Sequence, residues 1–185
     1  MRSLIVCSSL FVLLAGCWSG SLAGNGDGGG TEIQPPPPLT FNLRNDGASS
    51  LYIYQSCNPD MTITELSDPP REIGYAYGCG ICDCAVSVCP SVVCGPCFVG
   101  AQEIAGGATF EWSWSPVDMT YETRADTTMC THTRVLPAGQ YRLDVRVYAA
   151  MADAVARNGA GLVTQIFTLP PDAERQIFVP IAAPP

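Results

Sequence analysis

The cysteines of this chain are numerous and closely spaced enough to suggest a chemical function. Ten cysteines occur, and six of them lie within the 19-residue stretch CGICDCAVSVCPSVVCGPC, from Cys79 to Cys97. Thiol groups form disulfides, bind soft metal ions or perform redox reactions, and the compartment largely decides which. The single histidine, His132, follows Cys130 by two residues and adds a nitrogen ligand or base to the set.

The first 16 residues, MRSLIVCSSLFVLLAG, indicate the compartment in which these thiols function. Arg2 is followed by an apolar stretch from Leu4 to Leu14, which is too short to cross a bilayer and is typical of a secretory signal. The signal ends in Leu14-Ala15-Gly16-Cys17, and this segment resembles the lipobox of bacterial lipoproteins. The resemblance implies cleavage before Cys17, diacylglycerol on its sulfur and an acyl chain such as palmitate on its amino group. An ordinary secretory signal is the alternative.

Residues 17–38 are predicted to be a lipid anchor followed by a linker. The segment SGSLAGNGDGGG contains six glycines in 12 residues and would behave as a flexible tether, with a span of about 20 Å. The four prolines of Pro35–Pro38 add a stiff spacer of roughly 12 Å. In enteric lipoproteins an aspartate after the lipidated cysteine retains the protein at the inner membrane, so by the same resemblance Trp18 favours the outer membrane. We expect a domain of residues 39–185 held off that membrane.

The chain is strongly acidic. Removal of Arg2 with the signal leaves eight arginines, no lysine and 17 acidic residues, a net charge of −9. Nucleic acids and anionic lipid surfaces attract basic proteins, so we expect neither as a partner, and membrane contact only through the lipid on Cys17. No basic residue lies between Glu72 and Glu122, the interval that contains the cysteine-rich segment.

An even number of cysteines in an exported domain predicts disulfides. Cys7 belongs to the signal and Cys17 to the anchor, which leaves eight candidates with on the order of 100 possible pairings. We expect Cys57 and Cys130, which lie outside the cluster, to tie it or each other to the domain. The segment 78–98 is then a rigid, disulfide-rich insertion. The candidates are Cys57, Cys79, Cys82, Cys84, Cys89, Cys94, Cys97 and Cys130.

Redox chemistry is a competing hypothesis, because Cys94-Gly95-Pro96-Cys97 is identical to the CGPC active-site motif of thioredoxins. A redox dithiol needs a lowered thiol pKa, which a helix N-terminus or a nearby positive charge provides. The residues that follow, FVGAQEIAGG, contain glycines that allow no long helix, and no arginine or lysine is near in sequence. We therefore expect no reductase activity.

A metal site is another alternative. The pairs Cys79-x-x-Cys82 and Cys94-x-x-Cys97 are separated by 11 residues, whereas zinc ribbons separate such pairs by ~15–20 residues and keep their thiolates reduced. Copper(I) suits sulfur ligands, but the five methionines show no clustered spacing. Because disulfides compete for the same sulfurs outside the cytoplasm, we expect no metal and no other cofactor.

Hydrolysis is the remaining chemical alternative. On a strand, His132 would share a face with Cys130 and Arg134, which allows a Cys–His nucleophile pair. An exported Cys130 is expected to be oxidised, and the sequence has no G-x-S-x-G nucleophile motif. No spacing brings acids such as Glu111 and Asp118 together. We predict that the protein is not an enzyme.

The elements that must position these residues are mainly strands. Alternation of apolar and polar residues marks half-buried strands, and it occurs over residues 39–43, 51–53, 110–114, 141–147, 163–169 and 177–181. Only residues 149–157 could form a short helix, ended by Gly159. With turn residues such as Asn45-Asp46-Gly47 between the strands, the pattern predicts an all-β fold: an antiparallel, immunoglobulin-like β-sandwich with a disulfide-rich loop.

The segment LPAGQYRLDV resembles the penultimate strand of immunoglobulin-like domains, in which a tyrosine after a turn packs at a corner. With FNLRNDGASSLYIY and GGATFEWSW before it, it resembles the BsuPI-type domain, an immunoglobulin-like fold first named for a proteinase inhibitor. This likeness covers about half of the domain, and an inhibitory activity follows from it only by analogy of fold.

These observations predict a lipid-anchored, disulfide-stabilised β-sandwich at the cell envelope that binds or scaffolds an unidentified protein partner without catalysis. A metal-binding or thiol-redox envelope protein is the main alternative, and a proteinase inhibitor is the third.

Overall fold

In the computed structural model, strands account for most of the described residues, which are 36–75, 82–85, 96–126, 129–170 and 175–183. The predicted signal, the lipidation site Cys17 and the glycine-rich linker lie outside these residues, as do three of the candidate cysteines, Cys79, Cys89 and Cys94. All described residues belong to one compact unit that begins at Gln34. Within the described ranges, no helix is long and apolar enough to cross a membrane.

The described part of the chain contains thirteen strands and one helix, α1 (Met151–Ala156). Ten of these strands have five or more residues, which is more than the sequence pattern predicts. In chain order the strands are β1 (Leu39–Asn45), β2 (Leu51–Ser56), β3 (Asn58–Pro59), β4 (Met61–Glu65), β5 (Arg71–Glu72), β6 (Cys82–Asp83), β7 (Val99–Ile104), β8 (Thr109–Trp114), β9 (Val117–Thr123), β10 (Met129–Val135), β11 (Gly139–Val147), β12 (Gly161–Leu169) and β13 (Gln176–Ile181).

The six segments with alternating polarity all form strands, as predicted: β1, β2, β8, β11, β12 and β13. The pattern is clearest in β11, where Tyr141, Leu143, Val145 and Val147 are completely buried and the residues between them are not. Removal of these side chains from water is the main favourable contribution to folding, and it fixes which face of each strand points inward.

Two sheets pack face to face to form the core, one with the order β13-β1-β8 and the other with the order β12-β11-β4-β5. Phe167 of β12 lies between them, with its ring centroid 5.3 Å from that of Phe41 in β1 and 6.2 Å from that of Trp114 in β8. The predicted all-β sandwich is therefore confirmed. Most strand pairs are antiparallel, as expected, but β13 pairs with β1 and β6 pairs with β10 in parallel.

The corner between β1 and β2 is held by a buried amide. Asn45 is completely buried, and its Nδ2 donates to the carbonyls of Ser49 at 2.8 Å and Ile104 at 2.9 Å. Its Oδ1 accepts the N–H of Gly47 at 3.0 Å, the Asx-type turn that Asn45-Asp46-Gly47 predicts. From this corner the chain enters a third sheet, β3-β2-β7.

A tyrosine corner also matches the resemblance to immunoglobulin-like domains. The hydroxyl of Tyr141 in β11 donates to the carbonyl of Pro137, four residues upstream, at 2.9 Å. Burial raises the pKa of Tyr141, because its phenolate would lose solvation. The strand is third from last rather than penultimate, since β12 and β13 both follow it.

The helix ends earlier than predicted. Arg157, not Gly159, terminates α1, in a left-handed conformation with φ 53° and ψ 39°. A side chain rarely adopts this conformation without compensation. Here the guanidinium carbon of Arg157 lies 4.1 Å from the ring centroid of Tyr54, a cation–π contact that favours it.

Candidate functional site

Two disulfides join the cysteine-rich segment to the sandwich. Cys57, between β2 and β3, is bonded to Cys97, just before β7, and Cys84, just after β6, is bonded to Cys130 of β10. The Cα atoms are 4.9 Å apart in each pair. Each cysteine outside the cluster therefore pairs with a cysteine inside it, which is one of the two arrangements expected from the sequence. Cys82 of β6 is disulfide-bonded as well.

The described part of the CGPC motif differs from a thioredoxin active site at Cys97. Its second cysteine, Cys97, is bonded to Cys57, whereas thioredoxin-type redox cycling requires a bond between the two cysteines of the motif. The chain after the motif forms the strand β7, so no helix begins there to lower a thiol pKa. This pairing removes the dithiol on which the reductase hypothesis depends.

An ion network holds the chain that leads into the cysteine-rich segment. Asp118 of β9, only 4% exposed, accepts hydrogen bonds from the guanidinium of Arg71 at 2.5 Å and from the N–H of Gly74 at 3.0 Å. Arg71 also contacts Glu65 at 2.8 Å, and Arg134 lies 3.5 Å from Asp118. The hydrogen bonds to Asp118 and then Glu65 raise the pKa of Arg71. Asp118 therefore has a structural role.

A polar cavity of about 550 Å³ lies beside this network. It is lined by three tyrosines and two arginines, among other residues, and each comes from a different part of the chain: Tyr54 from β2, Tyr75 after β5, Tyr121 from β9, Arg146 from β11 and Arg157 after α1. The cavity therefore exists only in the assembled sandwich.

Neighbouring groups fix the cationic side chains of the cavity. Arg157 stacks on Tyr54, and its hydrogen bond to that tyrosine is the main reason that its pKa is raised. Arg146 Nη1 lies 2.9 Å from Asp60 Oδ1. The hydroxyl of Tyr75 donates to a backbone carbonyl of β4. These contacts hold the arginines and one tyrosine in place before any ligand arrives.

A second group of reactive side chains lies on the sheet β6-β10-β9. Cys130 of β10 is paired directly with Glu122 of β9, and His132 is two residues further along the same face. His132 Nε2 and Glu122 Oε2 are 2.7 Å apart. Cys84 joins them from the other side of β10, because its N–H donates to the carbonyl of Thr131 at 2.9 Å.

The structure also places the other candidates. Because Cys130 is oxidised, it cannot act as the nucleophile of a Cys–His pair. Glu111 of β8 lies opposite Asn42 of β1, on a different sheet from Asp118, so these two acids do not form a catalytic pair.

Sequence reasoning misses the cavity, since its residues come from five separate parts of the chain and belong to no motif. No local signal marks these residues: Tyr54 and Tyr121 lie inside strands, whereas Tyr75 and Arg157 lie outside them. Comparison of the chain with protein-family models, with curated proteins and with solved structures gives no match.

Proposed function

We propose that this protein is a lipid-anchored, non-catalytic binding module of the cell envelope, and that the polar cavity recognises an exposed segment of a partner protein. The observation that carries the proposal is the lining of the cavity by three tyrosines and two fixed arginines. Tyrosine and arginine are enriched at the energetically important positions of protein interfaces.

The remaining lining has the composition of a protein-recognition surface. Ser56, Asn58, Thr62 and Gly74 are among the other lining residues, together with Pro59, Asp60, Met61, Glu72 and Ile73. Antibody paratopes combine tyrosine with serine, glycine and asparagine in this way, because the aromatic rings supply contact area and the small polar groups supply hydrogen bonds. This composition favours a protein or peptide ligand over a small apolar one, which requires a mostly apolar pocket.

The cavity lies toward the opposite end of β11 from Pro36 and Pro37. Pro36 and Pro37 pack beside Leu169, which is paired with Gly139 at the start of β11. Arg146 is seven residues further along β11, a distance of about 23 Å. The cavity and the prolines at the start of the described chain therefore lie toward opposite ends of β11.

The disulfide between Cys57 and Cys97 supports binding by making one wall rigid. Cys57 stands between Ser56 and Asn58, both of which line the cavity. A wall that is ordered before binding loses little conformational entropy when a ligand arrives, so the free energy of binding is more favourable. The same bond gives the cysteine-rich segment a structural purpose that needs no free thiol.

The anchor is tested by replacing Cys17 with Ala in the full-length protein. The variant should leave the membrane fraction, because stable attachment needs the acyl chains. Continued membrane attachment of the variant after carbonate washing would contradict lipid anchoring.

Recognition by the cavity is tested with a photo-crosslinking amino acid at Tyr121 of the full-length protein, in the organism that makes it. A defined crosslinked product should form from position 121 and should be lost when Arg157→Ala is added. The matched control places the same amino acid at Thr168, an exposed residue near the tether end of β12. Equal products from both positions, or a product that is indifferent to Arg157→Ala, would contradict the proposal.

A further inference from the structure

Four potential metal ligands converge on the sheet β6-β10-β9, and the proposed binding function uses none of them. They are called the β10 cluster below and consist of Cys84, Cys130, Glu122 and His132. Strand pairing explains their convergence: Glu122 is opposite Cys130, His132 follows on the same face of β10, and Cys84 is bonded to Cys130. Glu122, Cys130 and His132 therefore lie on paired strands, and Cys84 lies in the turn just after β6.

The distances in the β10 cluster suit a metal ion. The sulfur of Cys84, a carboxylate oxygen of Glu122 and an imidazole nitrogen of His132 all lie within 4.8 Å of one another. Some point therefore lies within about 2.8 Å of all three atoms, whereas zinc bonds are ~2.0–2.3 Å long. Zinc binding requires the sulfur to move inward and the His132 nitrogen and Glu122 oxygen, 2.7 Å apart, to separate slightly. The sulfur of Cys130 lies outside this group of three, but it is bonded to that of Cys84 and becomes a second thiolate donor once that bond is broken.

The oxidation state of the sulfurs decides whether the ion can bind. In the disulfide, both sulfurs are neutral and bonded to each other, whereas zinc requires thiolates. We propose that the β10 cluster is a redox-gated zinc site: a disulfide when oxidised, and a four-ligand zinc site when that disulfide is reduced. The proposal departs from the sequence-based expectation of no metal and does not depend on the proposed binding function.

A dithiol is the reductant that opens the disulfide between Cys84 and Cys130. A thiolate of the dithiol attacks one sulfur of the pair, the bond between the sulfurs breaks, and the mixed disulfide resolves to release a cyclic disulfide. Two electrons thus pass to the protein, which now holds two thiols. When zinc binds, the two thiol protons leave to solvent, and two thiolates, one imidazole and one carboxylate surround the ion.

The donor set selects zinc among common divalent ions. Calcium and magnesium require all-oxygen coordination, while thiolate sulfur, imidazole nitrogen and carboxylate oxygen are all ligands that zinc accepts in a tetrahedral site. The exposure of the ligands gives the ion a route of entry, because His132 and Glu122 are 58% and 60% exposed while Cys130 is completely buried. In either state Cys84 stays joined to β10, through the disulfide or through the shared ion, so the chain after β6 stays attached to that strand.

The experiment measures the binding of cobalt(II), a spectroscopic substitute for zinc, to the full chain purified in detergent. Binding is compared before and after reduction of the protein by a phosphine. The reduced protein should bind one ion with a thiolate-to-cobalt charge-transfer band, and zinc should displace it. The oxidised protein should bind at least 100-fold more weakly. The absence of the band after verified reduction would overturn the proposal.

Variants locate the ligands. Cys84→Ser combined with Cys130→Ser should abolish the band, and His132→Ala should weaken binding at least tenfold. The matched control, Cys57→Ser combined with Cys97→Ser, removes the other disulfide and should leave binding unchanged. A band that survives the first pair of substitutions, or is lost in the control, would place the metal on other cysteines and overturn the proposal.

Folding is checked separately, because reduction also breaks the other disulfides. His132 is exposed, so the oxidised His132→Ala protein should melt like the wild type. If the reduced, metal-free chain loses its β-sheet circular dichroism signal, zinc should restore that signal in the wild type and not in His132→Ala. Failure of zinc to restore it in the wild type would count against the site.

Discussion

The two facing sheets and the sheet β6-β10-β9 illustrate different ways to stabilise strands. In the facing sheets, side chains such as Leu143 and Val179 are completely buried. In β9 and β10 most side chains are intermediate or exposed, and the buried ones include Cys130 and Asp118, which are held by a disulfide and by ion pairs. The first region is called the core below, and the second the margin.

The difference between the core and the margin explains why alternation in the sequence identifies strands of the core but not those of the margin. Apolar burial stabilises a strand only if its inward residues are apolar, so alternation must appear in the sequence of the core. A covalent crosslink stabilises mainly by restricting the unfolded chain, and it places no such demand on neighbouring residues. The margin can therefore fold with the polar composition that its sequence has.

The largest expected effect is loss of a disulfide in the margin. Cys84→Ser with Cys130→Ser opens a crosslink that spans 46 residues, and the chain-entropy relation gives a loss of about 4 kcal/mol in the free energy of unfolding. Denaturant unfolding of the oxidised proteins measures this loss. Hydrogen exchange should accelerate most in β9 and β10 and least in β11. Uniform acceleration across all three strands would show that the margin and the core unfold as one unit.

The core should respond nearly as strongly to one deleted side chain. Leu143→Ala removes a completely buried side chain from β11 and should cost about 3 kcal/mol through lost burial and the cavity left behind. The matched control is Ile166→Ala in the neighbouring strand β12, where the side chain is 54% exposed and the midpoint of unfolding should barely change. Comparable losses in the free energy of unfolding for the two variants would show that the side chain of Ile166 is more buried in solution than its exposure in the structure indicates.

Sequence analysis therefore predicts the core well and the margin poorly. β1, β11, β12 and β13 are evident from alternation because one face of each is buried. β10, with the sequence MCTHTRV, has too few apolar residues to be recognised and is stabilised by pairing on both sides and by Cys130. The sequence likewise does not predict which cysteines pair, because disulfide pairing depends on which strands become neighbours.

A smaller effect is expected from the ion network that joins the margin to the core. Asp118→Asn keeps the shape of the side chain but removes the charge that Arg71 and Arg134 face. Because Arg71 is 40% exposed and partly screened by water, we expect a loss of about 2 kcal/mol rather than the larger cost of a fully buried pair. Urea unfolding at neutral pH measures it.

Asp46→Asn is the control for this substitution. Its partner, Arg44, forms an ion pair of similar geometry at 2.6 Å, but both side chains are about half exposed. Exposed pairs contribute little, so the unfolding midpoint should stay unchanged. Equal effects of the two substitutions would mean that net charge, rather than the buried network, controls stability.

The two candidate sites also differ in how much of each the sequence predicts. His132 and Cys130 are identified from their spacing on one strand, and the structure adds Glu122 and Cys84 from neighbouring strands. The cavity has no local pattern at all, since residues such as Tyr54 and Arg157 meet only after β2 and the end of α1 pack together. Spacing reveals neighbours along one strand, but not neighbours across the sandwich.

The smallest effects are expected from substitution of two tyrosines, Tyr141 in β11 and Tyr148 just after it. Both side chains are completely buried. Tyr141→Phe removes the hydrogen bond to Pro137 and should cost about 1 kcal/mol, the usual net value of a neutral hydrogen bond. Tyr148→Phe should cost nothing at neutral pH, because its hydroxyl has no hydrogen-bond partner among the described residues.

Alkaline titration sharpens this last comparison. Burial is the main cause that raises the pKa of both tyrosines above the ordinary value of 10, since it disfavours the phenolate. A pKa raised in the folded state contributes stability that is present below the unfolded value and is lost as the pH rises through the folded value. The wild type should therefore lose stability above about pH 10. Tyr148→Phe, with one fewer buried phenol, should lose less over the same range in pH-dependent urea unfolding. Alkaline loss identical to that of the wild type would show that Tyr148 keeps the same pKa in the folded and unfolded chains, contrary to its burial.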